Sequence, residues 1–327
     1  MDLSAYGLVP LTIKDKPLID GILNRQDTML SAYSFTSHYI WRDHFNFHWG
    51  IINGYLCLIA QYEDYVYMPV PPVSTEKPDS NPPLPPFSKG GMTEFPPLQK
   101  GDKGGFAHYL FNIMDIINNN KSVSRIENID ESRIESFIAA GHKVKPGEPE
   151  YVYLREDLSN LKGNPYKSKR AMCNYFVKHY QYKYEPFEAG HVEQCIELYG
   201  IWREEKTKRI SDALYKAMIE DSFTVHREVI NNHRLLGITG RVVKINDRVE
   251  GYIFGFERNN DICYILMEVT NPGIKGLAQF IFREFCKELK GYTYINALGD
   301  SGLENLRNVK LSYRPFRLVP AFTAYRD

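Results

Sequence analysis

The second half of the chain alternates between apolar patterns of strand and helix periodicity. In chain order, the predicted elements are a strand at 182–187, helices at 188–206 and 211–232, strands at 236–245, 248–257 and 262–270, a helix at 274–290, a strand at 292–297, a helix at 302–310 and a strand at 316–324. Asn and Asp residues separate the three central strands, which predicts an antiparallel meander. The order of elements is therefore βααβββαβαβ.

The first half of the chain repeats this order. Its predicted elements are a strand at 8–13, helices at 15–24 and 37–44, strands at 47–52, 55–61 and 65–70, a helix at 106–120, a strand at 124–129, a helix at 131–140 and a strand at 151–154. Because Gly163, Asn164 and Pro165 together break both helix and strand, we expect a first domain at 1–160 and a second domain at 166–327.

A proline-rich segment interrupts the first domain at 71–104. Ten of the 19 prolines lie within 69–105, and the Pro-Pro segment at 82–91 recurs approximately at 95–105. Such a composition has no periodic apolar pattern from which to build a core, and it favours extended polyproline conformations. We predict a disordered low-complexity insert that forms a passive surface loop, with docking on a partner domain as the alternative.

The overall composition indicates a globular protein. Hydrophobic residues make up 43% of the chain and charged residues 24%, and 40 Lys and Arg balance 40 Asp and Glu. Since the net charge is zero, any attraction for nucleic acid or anionic lipid must come from a local patch.

The cysteines and the apolar runs predict where the protein resides. The five cysteines are scattered and never occur in CxxC spacing, which argues against a disulfide framework and a structural zinc site. No apolar run approaches the roughly 20 residues that span a bilayer, and no signal peptide is visible. We expect a cytoplasmic protein, which could also lie peripherally on a membrane.

The predicted order is the topology of the GNAT acyltransferase fold, and several segments resemble the phosphatidylglycerol lysyltransferase C-terminal domain family. The similar segments are 33–36, 41–43, 166–176, Glu268 with 274–276, and 299–315. The resemblance implies an α+β protein built as a tandem duplication of the GNAT fold. It also implies a relation to aminoacyl-tRNA-dependent transferases that modify lipids or peptidoglycan precursors.

A GxxGxA pattern occurs where a predicted strand meets a predicted helix, with Gly273, Lys275, Gly276 and Ala278 in it. Small residues there allow backbone N–H groups to approach an anion at the helix N-terminus. The corresponding GNAT loop binds the pyrophosphate of coenzyme A, although Gly273 stands where that loop has a polar residue. The alternative is an ordinary helix start.

Glu268 is the candidate general base. It interrupts an apolar strand, and burial would raise its pKa towards the range that base catalysis needs. The alternative is an edge residue paired with Lys275 or Lys310. In this topology Lys310 and Tyr313 border the cleft between the central strands, where Lys310 could hold a carboxylate or phosphate and Tyr313 could protonate a leaving group. Lys310 could instead only complement the helix dipole.

A basic block at 162–183 is the candidate substrate-binding surface. The stretch 158–184 contains six Lys and Arg residues, among them Lys167, Lys169 and Arg170, together with several tyrosines and no acid. This mixture can bind phosphates and stack on bases, which suits a tRNA acceptor end or a phospholipid head group. The alternative is a solvated helix whose charges pair elsewhere. The family usually continues its Lys-Arg pair with Asn-His, whereas this chain has Ala171 and Met172.

These features together predict an acyltransferase-like protein that moves an aminoacyl or acyl group onto an amine or hydroxyl acceptor, on a lipid head group or a small molecule. Aminoacyl-tRNA and acyl-coenzyme A are the candidate donors, and no metal-site spacing is present. We expect the second domain to be the catalytic one, because the insert enters the first domain at the junction equivalent to the GxxGxA loop. An acetyl-coenzyme A-dependent N-acetyltransferase and a non-catalytic GNAT-fold binding protein remain the alternatives.

Overall fold

The predicted strands and helices are present in the predicted order, with several unpredicted short elements between them. The structure, a computed structural model, describes residues 3–76, 105–121, 123–208, 213–259 and 261–326. The strands are β1 (Val9–Pro10), β2 (Asn46–Ile52), β3 (Tyr55–Tyr62), β4 (Tyr65–Tyr67), β5 (Val73–Ser74), β6 (Arg125–Ile129), β7 (His142–Pro146), β8 (Glu150–Leu154), β9 (Lys183–Pro186), β10 (Ile238–Ile245), β11 (Arg248–Asn259), β12 (Ile262–Thr270), β13 (Tyr294–Asn296), β14 (Arg317–Val319) and β15 (Phe322–Arg326). The helices are α1 (Lys16–Leu23), α2 (Phe35–Tyr39), α3 (Gly105–Ile117), α4 (Ile134–Ala139), α5 (Arg155–Asn160), α6 (Lys167–His179), α7 (Val192–Thr207), α8 (Ala213–Leu236), α9 (Leu277–Glu288) and α10 (Glu304–Leu311).

Both halves of the chain contain the predicted βααβββαβαβ order. In the first half it is β1, α1, α2, β2, β3, β4, α3, β6, α4 and β7, and in the second half it is β9, α7, α8, β10, β11, β12, α9, β13, α10 and β14. The tandem arrangement is therefore confirmed. Each half ends with one further short strand. In the first half this strand, β8, is the one predicted at 151–154, and β7 before it was not predicted; in the second half β15 follows β14.

Unit 1 consists of Met1–Phe35, Phe45–Gly147 and Pro320–Asp327. It has one sheet with the order β1-β2-β3-β4, in which β5 also pairs with β3, and a three-stranded sheet with the order β6-β15-β7. The strand β5 lies within the segment predicted to lack regular structure, so ordered pairing extends to residue 74. Residues 77–104 of the predicted insert lie outside the described residues.

Unit 2 consists of Thr36–His44 and Glu148–Val319, and it has one seven-stranded sheet with the order β14-β8-β13-β12-β11-β10-β9. Helix α9 packs on this sheet through the apolar face that its periodicity predicts. Leu277, Phe280, Ile281 and Phe285 are at most 2% exposed on that face. Burial of such a face is the main source of stability for a helix of this length.

The final strand of each half completes the other half's sheet. Strand β8 lies between β13 and β14 in unit 2, and β15 lies between β6 and β7 in unit 1. The sequence prediction of one strand at 316–324 is therefore wrong, because Pro320 and Ala321 separate two strands that pair in different sheets. For the same reason the compact units differ from the predicted domains 1–160 and 166–327 at both boundaries.

The segment Thr36–His44 belongs to unit 2 although it precedes most of unit 1 in the sequence. The Arg42 guanidinium forms an ion pair with Glu228 on α8 and lies 4.1 Å from the ring centroid of Tyr39. The His44 Nε2 also contacts the backbone oxygen of Asp221 at 2.9 Å. These contacts give the family-like residues around 41–43 a structural role.

Candidate functional site

Strands β12 and β13 diverge within the sheet of unit 2. They pair in parallel only where Ile262–Tyr264 lies beside Tyr294–Asn296. Beyond Tyr264, β12 continues to Thr270 without further pairing to β13. On its other side β12 pairs with β11, and an irregularity in the register falls near Gly255. The divergence leaves a gap beside the second half of β12, and side chains from β12, α6 and the end of α10 lie around this gap.

Glu268 lies on β12, four residues beyond its last pairing with β13. It is half-buried, and among the described residues its carboxyl has neither a hydrogen bond nor an ion pair. Desolvation by the surrounding protein raises the pKa of Glu268 to about 8, and the positive charges of Lys169 and Lys310 oppose the shift without cancelling it. Of the two partners that the edge-residue alternative offers, Lys275 contacts Tyr175 instead, whereas the charge of Lys310 does act on Glu268.

Lys310 lies in the last turn of α10, and its side chain points back to the end of β13. Its Nζ donates to the backbone oxygen of Ala297 and, at 3.4 Å, to that of Leu298. Burial lowers the pKa of Lys310 to about 8, against the raising effect of the charges on Glu150, Asp300 and Glu268. Lys310 is therefore a buried ammonium beside a carboxyl, and not only a complement to the helix dipole.

Tyr313 and Lys169 complete the cluster. The Tyr313 ring packs on Phe282 at 5.0 Å between centroids, and the Lys169 Nζ lies 4.1 Å from the centroid of the Tyr313 ring. Burial, together with the charge of Glu268, raises the pKa of Tyr313. Burial lowers the pKa of Lys169. Glu268, Lys310, Tyr313 and Lys169 thus lie together at the gap.

The loop at 273–278 meets α6 rather than the gap. Gly276 is buried in the left-handed conformation (φ +85°), and a Cβ at this position would overlap the backbone oxygen of Met172. Lys275 is exposed, with its Nζ 4.6 Å from the ring centroid of Tyr175, and the Gly273 N–H donates to Asn271 Oδ1. Ala278 is half-buried in the first turn of α9. The requirement for glycine at 276 therefore has a packing explanation that needs no bound phosphate.

The side chains of the basic block lie in three different environments. Arg170 donates to the backbone oxygens of Leu161 and Gly163, so its guanidinium holds the link between α5 and α6. Lys183 pairs with Asp247 at 2.9 Å. Lys167 is exposed and lies outside the Glu268 cluster, whereas Lys169 from the same helix belongs to it. The predicted set therefore separates into a structural arginine, a lysine at the gap and exposed lysines.

Sequence reasoning missed a buried polar network beside Lys310. Asn296 Nδ2 donates to Glu150 Oε2 at 2.6 Å, and the Tyr151 hydroxyl donates to Asp300 Oδ2 at 2.5 Å. Arg307 also pairs with Asp300 at 3.0 Å. The only sequence signal was an Asp-Ser-Gly turn after the predicted strand at 292–297, and the involvement of β8 could not be read from its place in the first half.

The described residues contain no cluster of three or more His, Cys, Asp or Glu side chains placed to hold a metal ion. The five cysteines are free thiols and all are buried. No helix within the described part of the chain combines the length and the apolar character that a membrane span requires.

Comparison with known proteins identifies the family and the fold of the chain. The sequence matches the family described as phosphatidylglycerol lysyltransferase, C-terminal, over residues 96–325. The similar segments at 33–36 and 41–43 lie outside that range. No curated protein matches the chain.

Three solved structures show the fold. A conserved protein of unknown function from Bacteroides thetaiotaomicron is 21% identical with a TM-score of 0.80, and the match covers 98% of this chain and 99% of that one. The C-terminal domain of a protein assigned as lysylphosphatidylglycerol synthetase from Agrobacterium fabrum is 12% identical with a TM-score of 0.62, covering 96% and 92%. A tandem GNAT protein from the clavulanic acid biosynthesis pathway is 9% identical with a TM-score of 0.51, covering 97% and 98%.

These matches confirm the predicted α+β tandem GNAT fold. Family and fold together point to an aminoacyl- or acyltransferase-like protein. Since the family match covers more than two thirds of the sequence, the chain belongs to the phosphatidylglycerol lysyltransferase C-terminal family.

Proposed function

We propose that unit 2 transfers an aminoacyl or acyl group to an amine or hydroxyl acceptor, with Glu268 as the general base. The observation that carries this proposal is a carboxyl without a hydrogen bond or ion pair among the described residues, held at the gap between β12 and β13. A base is most effective when its pKa lies near the working pH, and desolvation raises the pKa of Glu268 to about 8.

The neighbouring groups supply the remaining steps. The ionised Glu268 accepts the proton of the acceptor as its nitrogen or oxygen attacks the carbonyl carbon of an ester or thioester donor. The bond to the leaving oxygen or sulfur breaks, and the leaving group takes a proton from the Tyr313 hydroxyl, which Glu268 then restores. Because the pKa of Tyr313 is raised, its phenol stays protonated while Glu268 titrates. Lys310 binds an anionic group of the substrate.

The donor and the acceptor are proposed from the family and the surface charges. Aminoacyl-tRNA and acyl-coenzyme A both present an activated acyl group next to phosphates, and a lipid head group or a small molecule presents the acceptor. The exposed lysines at 162, 167 and 178 suit a polyanion, since each can contact a phosphate without first breaking a structural contact.

Unit 1 is proposed as a scaffold without its own catalytic site. Met68, the residue after β4, forms an isolated parallel bridge with Ile126 of β6. Beyond that contact, the Asn128 side chain donates to the backbone oxygen of Pro69 at 2.9 Å and bridges the place where unit 2 has its gap. Strand β4 ends at Tyr67 and provides no carboxylate equivalent to Glu268.

The test is a transfer assay with purified protein. Charged tRNA and acetyl-coenzyme A are supplied separately as labelled donors, with anionic phospholipid vesicles or a small polyamine as acceptors. We expect Glu268→Gln to lower kcat by about 10²- to 10⁴-fold with little change in donor affinity. Glu135→Gln, a matched change at an exposed residue of unit 1, should behave like the parent.

Each outcome of the assay distinguishes the candidate functions. Transfer from acetyl-coenzyme A alone would identify an N-acetyltransferase. Stabilisation by a donor in a thermal-shift experiment without any transfer would indicate a binding protein. Parental turnover of Glu268→Gln would remove the proposed base.

A further inference from the structure

We propose that Asn296 is a positioning residue, which sets the location of the Lys310 ammonium by holding the turn after β13. The inference rests on the proposed role of Lys310 at the gap. It adds a residue that touches neither the acceptor nor the donor and acts through the backbone.

Asn296 is the last residue of β13 and is fully buried. Its Oδ1 accepts from the Leu298 N–H at 2.7 Å, and its Nδ2 donates to Glu150 Oε2 at 2.6 Å. A side-chain oxygen that accepts from the N–H two residues later stabilises a turn. Glu150, from the neighbouring strand β8, fixes the orientation of the amide.

The turn needs this support because of Leu298. Leu298 has a φ of +62°, a left-handed conformation that brings the Cβ of an ordinary residue too close to its own backbone and is therefore strained. In this conformation the backbone oxygens of Ala297 and Leu298 both accept from the Lys310 Nζ. The Tyr151 N–H also donates to the Leu298 oxygen at 3.1 Å, which fixes that oxygen on β8.

The equivalent turn of unit 1 shows what the asparagine adds. There Asn128 is left-handed (φ +52°) and Asp130 accepts from the Ser132 N–H at 3.0 Å, as Asp300 accepts from the Gly302 N–H at 3.0 Å in unit 2. The position of Asn296 is occupied by the apolar Ile126. Asparagine tolerates the left-handed conformation itself, so that turn does not need a side-chain acceptor two residues earlier.

The location of Lys310 decides its protonation. Glu150 on β8, Asp300 in the turn and Glu268 on β12 place negative charge around the ammonium, and burial opposes them. If the turn relaxes, the side chain moves towards water and desolvation weakens. The pH at which Lys310 loses its proton therefore indicates whether the turn is intact, and it can be measured without substrate.

The experiment measures how the acetylation rate of Lys310 by acetic anhydride depends on pH, by mass spectrometry on the full chain. In the parent we expect a midpoint near pH 8. Asn296→Ala should raise the midpoint by about one unit or more, towards the ordinary value of 10.5. The exposed Lys167 in the same sample is the internal reference.

Two further variants separate positioning from general structural damage. Adding Leu298→Gly to Asn296→Ala should return the midpoint to within about half a unit of the parent, because glycine adopts the left-handed conformation without strain. Glu150→Gln keeps an acceptor for Asn296 but removes a negative charge, so it should lower the midpoint. A reduced kcat with nearly unchanged KM should accompany the midpoint shift of Asn296→Ala in the transfer assay.

An unchanged midpoint in folded Asn296→Ala would overturn the proposal, as would a shift that Leu298→Gly fails to reverse. If Asn296→Ala does not fold, Asn296→Ser, which is closer to Asn in volume and keeps a hydroxyl acceptor, should shift the midpoint in the same direction by less, and no shift would again contradict the inference. Labelling needs neither donor nor acceptor. The midpoint shift can therefore be observed even if the protein catalyses no transfer, so a failure of this inference is distinguishable from a failure of the proposed function.

Discussion

The carboxyl of Glu268 and the ammonium of Lys310 affect each other across the gap between β12 and β13. Burial raises the pKa of the acid to about 8 and lowers the pKa of the base to about 8, and the charge of each partner opposes the shift of the other. The two groups therefore titrate in the same range as a coupled pair. Such a pair can take up or release a proton near neutral pH, as acyl transfer requires.

Glu268→Gln should stabilise the protein at alkaline pH. The pKa of Glu268 is higher in the folded protein (about 8) than its ordinary value of 4.5, so the folded state binds more protons between these pH values. The free energy of unfolding of the parent therefore falls as the pH rises from 4.5 to about 8. Glutamine does not ionise, so the variant should have a higher free energy of unfolding than the parent at pH 8.5. Each unit of pKa shift corresponds to about 1.4 kcal/mol.

Urea denaturation at pH 5 and pH 8.5 checks this expectation. The advantage of Glu268→Gln should be small at pH 5 and large at pH 8.5, while Glu135→Gln shows no such difference. Equal effects at both pH values would contradict the raised pKa.

Acid should destabilise unit 2 through His226. The Nδ1 of this histidine on α8 shares a hydrogen bond of 2.8 Å with the Tyr252 hydroxyl, and burial lowers its pKa from 6.5 to about 3. The unfolded chain therefore binds more protons between these values, so this contribution to stability is complete above pH 6.5 and declines as the pH falls towards 3. His226→Gln should lose less stability between pH 7 and pH 4.5 than the parent does.

The measurement is chemical denaturation at both pH values, with His179→Gln as a control at an exposed histidine. A pH dependence in His226→Gln as steep as that of the parent would assign the acid sensitivity to other groups.

Gly276→Ala should destabilise the fold rather than selectively block a donor. The added Cβ meets the backbone oxygen of Met172, and the left-handed conformation of Gly276 adds strain. Overpacking of this kind costs about 1–3 kcal/mol. Gly291→Ala is the matched control, because a Cβ there meets nothing within 4 Å. Thermal denaturation without ligand decides the question, and a parental Tm for Gly276→Ala would restore the ligand-binding role of the loop.

The basic block should separate into two groups of lysines and arginines when mutated. Replacing the exposed Lys162, Lys167 and Lys178 together by Ala should weaken tRNA binding and reduce its salt dependence, since each lysine that contacts a phosphate releases about one counterion. Arg170→Ala should instead lower the Tm, because two backbone oxygens lose their donor. Filter binding at several salt concentrations is the measurement. Unchanged binding of the triple variant would exclude this surface.

The sequence predicted the elements because most of them carry their own periodic signal. Leu277, Phe280 and Phe285 mark one face of α9, and Glu268 is conspicuous as an acid within an apolar strand. Lys310 and Tyr313 were predicted as site residues from the family resemblance together with the order of the elements. Local patterns and family order were sufficient for these residues.

Other features depend on partners that are distant in sequence. The apolar run at 151–154 is compatible with pairing to β7 in one sheet or to β13 in the other. Only the complete sheet decides that β8 pairs with β13. Arg170 and Lys169 are adjacent in sequence, yet one holds backbone oxygens and the other meets Tyr313. Composition alone could not distinguish a structural arginine from a lysine at the gap.

The exchange of final strands affects how the protein forms during synthesis. Domains usually fold in order from the N-terminus as the ribosome adds about 5–20 residues each second. Here β15 must enter between β6 and β7, although it is made more than 170 residues after β7. The three-stranded sheet of the first half therefore waits on the order of 10–30 s for its central strand. During that interval two strand edges stay open on the nascent chain, where a chaperone can bind them.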